Sequence, residues 1–336
     1  MTDHRHLHET SSAAPLAVRP LGEGIFQLAT DYPEVCNAPL WTYLVTSEDG
    51  YVLIDPGVQS TFEATLSRAV SESGQRVEGV DLVLATHGHP DHSGGQSSWR
   101  AVAPKVRVGA PLVDAPWVES FDRQWVQFWD DYPGIIDNSS SRELLASLCV
   151  PEPQVDLLLR DGDVFFVGSR DFRVVETRGH SWGHCAYYDV RSRTLFTGDA
   201  VQGRGIASSD GTTVFAPLYV DVEGARWGLR RLLELPFDML CPAHAAPMDR
   251  DAGLAFIQES LAFIDEVDEL TLRMLEESGS SPLLTRDLAN RIGSLVGAMP
   301  SLTPQTAPTA RAHLYQLARS GLIDAAWIRS EGTHGE

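Results

Sequence analysis

Apolar and polar positions divide the chain into two batches of short strands, each closed by helices. Residues 21–55 alternate apolar and polar around Glu48-Asp49-Gly50, which predicts a hairpin with strands over 42–46 and 51–54. Asp55-Pro56-Gly57 follows as a turn, and 60–73 has the spacing of an amphipathic helix. The apolar run 80–85 predicts a buried strand, 94–100 opens a helix, and 106–109 is a short strand. The second batch has strands over 164–167, 172–176, 185–190 and 194–196, a helix over 222–235 and a strand over 237–241. Beyond 250 the pattern turns helical, with helices over 252–277, 285–296 and 309–320, and Gly321-Leu322-Ile323 opening a short strand. Residues 300–308, with three prolines, read as a loop. Periodicity alone establishes a mixed α/β protein.

Two stretches stand outside this pattern. Residues 111–150 carry Trp117, Phe121, Trp125, Phe128, Trp129 and Tyr132 at near-helical spacing, with few β-branched residues. They read either as an inserted helix packed on the strands or as a lid whose aromatics, Trp125 and Trp129 among them, line an apolar substrate pocket. Residues 201–220 are glycine-rich. Here Arg204 is a candidate clamp for a substrate carboxylate and Tyr219 a candidate donor to an oxyanion; the alternative for each is a loop residue facing water.

Candidate chemistry concentrates where strands end. Residues 86–95 read Thr-His-Gly-His-Pro-Asp-His-Ser-Gly-Gly, directly after the run 80–85. Four metal-competent side chains fall within six residues. His87 and His89 can share one ion, while Asp91 and His92 reach a second beside it. Imidazole and carboxylate suit zinc, and also iron or manganese. Three later apolar runs end in the same way. Thr-Arg-Gly-His-Ser-Trp-Gly-His offers His180, Thr-Gly-Asp-Ala offers Asp199, and Cys-Pro-Ala-His-Ala offers His244.

In the order and spacing of these motifs the chain resembles the metallo-beta-lactamase superfamily, over roughly residues 18–250. The resemblance implies a four-layered αβ/βα sandwich with a small helical C-terminal appendage. It implies His87, His89 and His180 on one metal, Asp91, His92 and His244 on the other, and Asp199 bridging them. Two zinc ions are expected, with iron or manganese as alternatives. The bridging carboxylate, generally lacking in true beta-lactamases of this superfamily, makes the chain more similar to glyoxalase II, lactonase and thioesterase members. His89 stands where the flavodiiron branch has glutamate. His184 is expected to orient a ligand, or else to be an ordinary buried histidine. The implied activity is hydrolysis of a thioester or a lactone/ester of a small metabolite by a hydroxide shared between the metals, with Asp91 handling its proton. A mononuclear iron persulfide dioxygenase and a phosphodiesterase are the alternatives.

Composition narrows this further. The 336 residues are 43% hydrophobic, enough for one large domain and an appendage. We expect a tail over 1–18, a catalytic domain over 19–250 containing the insertion 111–150, and a helical, winged-helix-like region over 251–336. The net charge of −20, from 26 basic and 46 acidic residues, disfavours nucleic acid as a partner. Lys105 is the only lysine, so there is no lysine-rich glutathione site of the glyoxalase II kind, and arginines are the alternative. Cys36, Cys149, Cys185 and Cys241 are scattered, which suits reduced thiols in a cytoplasmic protein. No run is long and apolar enough for a signal peptide or a membrane span. His4, His6 and His8 alternate in a polar tail read as disordered. The expected partner is a small-molecule substrate, with a homodimer possible.

Overall fold

Strands of the first batch pair in chain order. β1 (Val18–Gly22), β2 (Ile25–Thr30), β3 (Leu40–Thr46), β4 (Tyr51–Ile54), β5 (Val80–Leu84), β6 (Arg107–Pro111) and β7 (Leu157–Leu159) form one seven-stranded sheet. It is antiparallel from β1 to β4 and parallel from β4 to β7. The second batch is β8 (Val164–Val167), β9 (Arg170–Glu176), β10 (Cys185–Asp189), β11 (Thr194–Gly198), the separate hairpin β12 (Ile206–Ala207) and β13 (Thr213–Phe215), then β14 (Met239–Pro242) and β15 (Met248–Asp249). Its sheet has the order β15-β14-β11-β10-β9-β8, with β11 and β14 parallel and the other pairs antiparallel. The computed structural model describes residues 18–30, 38–48, 50–129, 132, 138–149, 153–208, 210–279, 283, 285–296 and 306–324. The three alternating tail histidines, Cys36, Asp49 of the hairpin tip and residues 300–305 lie outside that set.

Side-chain alternation then builds four layers. Tyr43, Val45, Ile54 and Leu84 of the first sheet share a core with Phe172, Tyr187, Phe196 and Cys241 of the second. On the first sheet's outer face, Leu66, Val70 and Trp99, from helical segments at 59–72 and Gln96–Val102, share a core with Leu44, Leu53 and Val108. On the second sheet's outer face, helices Val222–Glu234 and Arg250–Ser278 bring Leu229, Phe263 and Ile264 against Val175, Tyr188 and Leu240. This is the expected αβ/βα sandwich. Strands β4, β10 and β11 are buried at every position because both of their faces are covered. Two tyrosine hydroxyls tie the sheets together near the strand ends that matter: Tyr43 donates to Pro242 O at 2.7 Å and Tyr187 to Ala85 O at 2.6 Å.

Helices Thr285–Leu295 and Thr306–Arg319 join the outer core of the second sheet through Leu288, Ile292, Leu314 and Leu317. Buried His313 sits 2.6 Å from Asp268, whose other oxygen accepts from Arg226 at 2.7 Å, so three helices meet at one carboxylate. Two expectations change here. The last described helix starts at Thr306, inside the expected loop, with Pro308 in its first turn, where a missing N–H costs nothing. Gly321-Leu322-Ile323 form a turn and not a strand: Leu322 N–H bonds to Leu317 O and Gly321 N–H to Ala318 O, each at 3.0 Å, closing the helix in a Schellman arrangement. Among the described residues no helix is long and apolar enough to cross a membrane. Cys149, Cys185 and Cys241 are buried and form no disulfide.

Candidate metal centre

Four segments deliver the candidate ligands, each leaving the carboxyl end of a strand, where α/β sheets present their chemistry. After β5 the chain passes through Thr86 to His87 and His89. Pro90 then starts the short helix Pro90–Ser93, its fixed φ suiting the first helical position. Asp91 and His92 occupy the first turn and point about 100° apart. Asp91 therefore reaches the open side, with 20% of its side chain exposed, while His92 is fully buried. His180 follows β9, Asp199 follows β11 and His244 follows β14.

The seven side chains converge. His89 Nδ1 lies 3.0 Å from His87 Nε2 and 2.9 Å from His180 Nε2. Asp91 Oδ2 lies 3.3 Å from His92 Nε2 and 3.4 Å from His244 Nε2. Asp199 stands between the groups, with Oδ1 3.3 Å from His244 Nε2 and 3.5 Å from His92 Nε2, and Oδ2 3.5 Å from His180 Nε2. Three overlapping sets result, His87–His89–His180, His87–His92–Asp199 and Asp91–His92–His244, each with donor atoms within 4.8 Å of one another. Buried polar atoms without partners are costly. Here His89 Nε2, both nitrogens of His92 and Asp199 Oδ1 lack a hydrogen-bond partner, although His92 Nδ1 has Asp55 Oδ2 as an ionic neighbour at 3.0 Å. Cations between imidazole nitrogens and carboxylate oxygens would engage the inward-facing donors, so the residues fit a pair of divalent metals.

The two halves differ in protonation. Burial lowers the pKa of His89 to about 3, helped by His180; burial likewise lowers His87 and His180. These three rings are neutral and turn lone pairs toward one point. Burial also disfavours charge on His92 and His244, but neighbouring carboxylates outweigh it. Asp91, Asp199 and Asp55 raise His92, and Asp199 with Asp91 raises His244 to about 10. Burial opposes ionisation of Asp91 and Asp199, yet His92 and His244 hold both carboxyls below the usual range.

Outer partners fix each ring. His180 Nδ1 faces Leu218 O at 3.1 Å and His244 Nδ1 faces Pro39 O at 2.6 Å, so each can donate outward and leave Nε2 free. His87 Nδ1 lies 3.1 Å from the hydroxyl of Thr86, which itself donates to Asp55 at 3.0 Å. His184 is not among the converging rings. Its Nε2 accepts the Asp199 backbone N–H at 3.2 Å and its Nδ1 lies 2.8 Å from Thr177 Oγ1, so it steadies Asp199. Gln202 donates to Asp199 Oδ2 at 3.0 Å and accepts from Leu218 N at 3.1 Å. Sequence reasoning assigned no role to Asp55, Asp114 or Gln202. The available signals were an isolated acid at the end of β4, a lone acid within the apolar stretch 111–118, and a glutamine three residues past Asp199.

A pocket opens over the centre. Its polar floor is His89, Asp91, His180, Asp199 and His244; its walls include Trp129, Leu145, Ile206, Phe215 and Leu218. The four expected substrate residues fall in different places. Trp129 lines this pocket and lies against His89, with ring centroids 5.9 Å apart. Trp125 lies one turn earlier and is buried among Phe121, Phe128 and Leu148, away from the pocket wall. Arg204 is not a clamp at this pocket: it swings out to Glu266, 2.6 Å away, and covers Phe263. Tyr219 does not reach the centre either. Leu218 lines the pocket, whereas Tyr219 is buried in the core cluster that holds Val222 and Ala225.

The chain is similar to known proteins. Acyl-coenzyme A thioesterase MBLAC2 of Gallus gallus is 29% identical over 226 residues, 65% of this chain and 75% of that protein. Hydroxyacylglutathione hydrolase of Cereibacter sphaeroides is 28% identical over 179 residues, about half of each, at 53% and 52%. A solved metallo-beta-lactamase family protein from Thermus thermophilus has the same fold, with a TM-score of 0.71, 22% identity, and coverage of 90% of this chain and 95% of that one. The family pattern of the metallo-beta-lactamase superfamily matches residues 39–244, from the first strand of the β3–β4 hairpin to the last converging histidine. The chain belongs to the metallo-beta-lactamase superfamily.

Proposed function

We propose that the protein is a metal-dependent hydrolase that cleaves an acyl thioester, or a lactone or ester, of a small metabolite. The observation that carries this is Asp199, whose two oxygens face both histidine groups at the floor of an apolar-walled pocket. A pair of divalent ions held there would supply Lewis acidity, polarising a carbonyl and making water a competent nucleophile near neutral pH. The chain supplies the rest. Trp129, Leu145, Ile206, Phe215 and Leu218 offer an acyl group an apolar wall and keep bulk water from it. Asp91 is the one converging carboxylate on the open side, so it can accept a proton and return it to the leaving group. Gln202 and His184 hold Asp199 in place throughout. The names of the relatives, an acyl-coenzyme A thioesterase and a hydroxyacylglutathione hydrolase, support the thioester end of this range.

The test is one panel on the metal-loaded protein: acyl-coenzyme A thioesters of several chain lengths, lactones, a bis-aryl phosphodiester, single-stranded RNA, a cephalosporin and a persulfide. The expected result is the highest kcat/KM on a thioester or lactone. A higher value on the phosphodiester or RNA, or oxygen uptake with the persulfide, would replace this reading.

A further inference from the structure

Asp114 is a fully buried carboxylate outside the converging sets. Its backbone occupies the N-cap of the short helix Ala115–Val118, yet its side chain makes no cap bond to that helix. An aspartate there ordinarily turns back to its own helix N–H groups. Instead Oδ2 accepts from Gly88 N at 3.0 Å and from Ser181 Oγ at 2.5 Å, and Oδ1 accepts from Gly183 N at 2.7 Å.

These three donors sit beside the centre. Gly88 lies between His87 and His89, Ser181 follows His180, and Gly183 precedes His184. One carboxylate thus joins the loop after β5 to the loop after β9, two segments from different sheets. The fit is close at both glycines. A Cβ on Gly88 would lie 2.9 Å from Trp117 Cβ, and a Cβ on Gly183 would lie 2.6 Å from Asp114 Oδ1. On the far side of Gly88, its carbonyl accepts from Gln124 Nε2 at 2.6 Å, so the peptide carrying His87 and His89 is held from both ends. Three donors and no cation suit a carboxylate. An asparagine has one acceptor oxygen and must turn an N–H₂ toward at least one donor.

We propose that Asp114 is the positioning residue of the three-histidine group: by fixing the gap between the His87–His89 loop and the His180 loop, it sets that group's affinity for a metal ion. The inference rests on the metal reading above and adds a residue that touches neither metal nor substrate. The removal of a group that orients a metal ligand typically costs 10–100-fold in metal affinity, and a loss in that range is expected for Asp114→Asn. It should be confined to the His87–His89–His180 half and leave the Asp91–His92–His244 half near wild type. Ser181→Ala removes one of the three bonds and should give a smaller loss in the same half.

The experiment is chelator competition with Zn²⁺ on wild type, Asp114→Asn and Ser181→Ala. It is paired with visible absorption of the Co²⁺-loaded proteins, which reads the geometry of each half, and with melting of the metal-stripped proteins. A site-selective loss with an altered Co²⁺ band, in a protein that still melts cooperatively, supports the proposal. A plain packing role would lower the melting temperature and leave the relative affinities of the two halves unchanged, which overturns it. Should Asp114→Asn fail to fold, unchanged Zn²⁺ affinity in Ser181→Ala overturns it as well. Wild-type protein that binds no metal would bring down the metal reading and this inference together; wild type with two tight ions beside an equally tight Asp114→Asn would bring down this inference alone.

Discussion

Asp199→Ala is expected to lower metal occupancy in both halves of the centre and to reduce turnover at least about a thousandfold, some 4 kcal/mol of transition-state stabilisation. The reason is geometric. Asp199 is within 3.5 Å of His92, His180 and His244, so among the described residues it is the carboxylate that faces both histidine groups. Removing it takes a negative charge from between buried rings and leaves His244 with Asp91, and His92 with Asp91 and Asp55, as counter-charges. Two readouts are needed: metal content by elemental analysis, and kcat on the best substrate of the panel. A variant with wild-type metal content and wild-type rate would show that Asp199 does not couple the halves.

The second large effect separates two tryptophans that are one helical turn apart. Trp125→Ala should destabilise the fold by about 3–5 kcal/mol, the usual cost of deleting a buried aromatic ring, and leave metal content intact. Trp129→Ala removes a pocket wall, and a loss of about 1.5–3 kcal/mol of apolar contact corresponds to a rise in KM for acyl substrates of about tenfold to a hundredfold. The difference follows from their surroundings: both rings are buried in the aromatic cluster, but of the two only Trp129 also lines the pocket and lies against the His89 ring. Denaturant unfolding and steady-state kinetics separate them. Equal rises in KM with equal stability would mean that the insertion acts as a single lid.

That division shows where sequence reasoning ran out. The aromatic spacing at 117–129 left a packed inserted helix and a substrate lid both open, because the side of the helix that meets substrate depends on what lies across from it. At Trp125–Trp129 the helix is also wound as a π-helix, which shifts faces relative to a regular 3.6-residue pattern. The seven converging residues were legible because they fall in four segments that each follow a strand whose apolar run is plain, and strand ends gather at one edge of the sandwich. Arg204 was not legible, since its partner Glu266 lies 62 positions later on a helix that only the fold brings near. Tyr219 lies in an irregular segment, where no period shows which side chain meets the core. Hairpin β12–β13 was missed because its strands have two and three residues, too short for any period to register. Asp114 drew no reading from the sequence, because its reach across two loops is a property of the packed structure alone.

Two metals in two unlike halves are tested for most directly by titrating Zn²⁺ into metal-stripped protein near pH 7.5 by calorimetry, in buffers of different ionisation enthalpy. His87, His89 and His180 are already neutral, so the first half should bind with almost no proton release. His92 and His244 carry protons in the metal-free protein, because their pKa values are raised, and each must lose one for its nitrogen to bind. The expected result is about two ions per chain, with about two protons released in the second binding step only, and affinity at that step falling more steeply as pH is lowered. A stoichiometry that stays near one at saturating Zn²⁺, with hydrolysis intact, would contradict it.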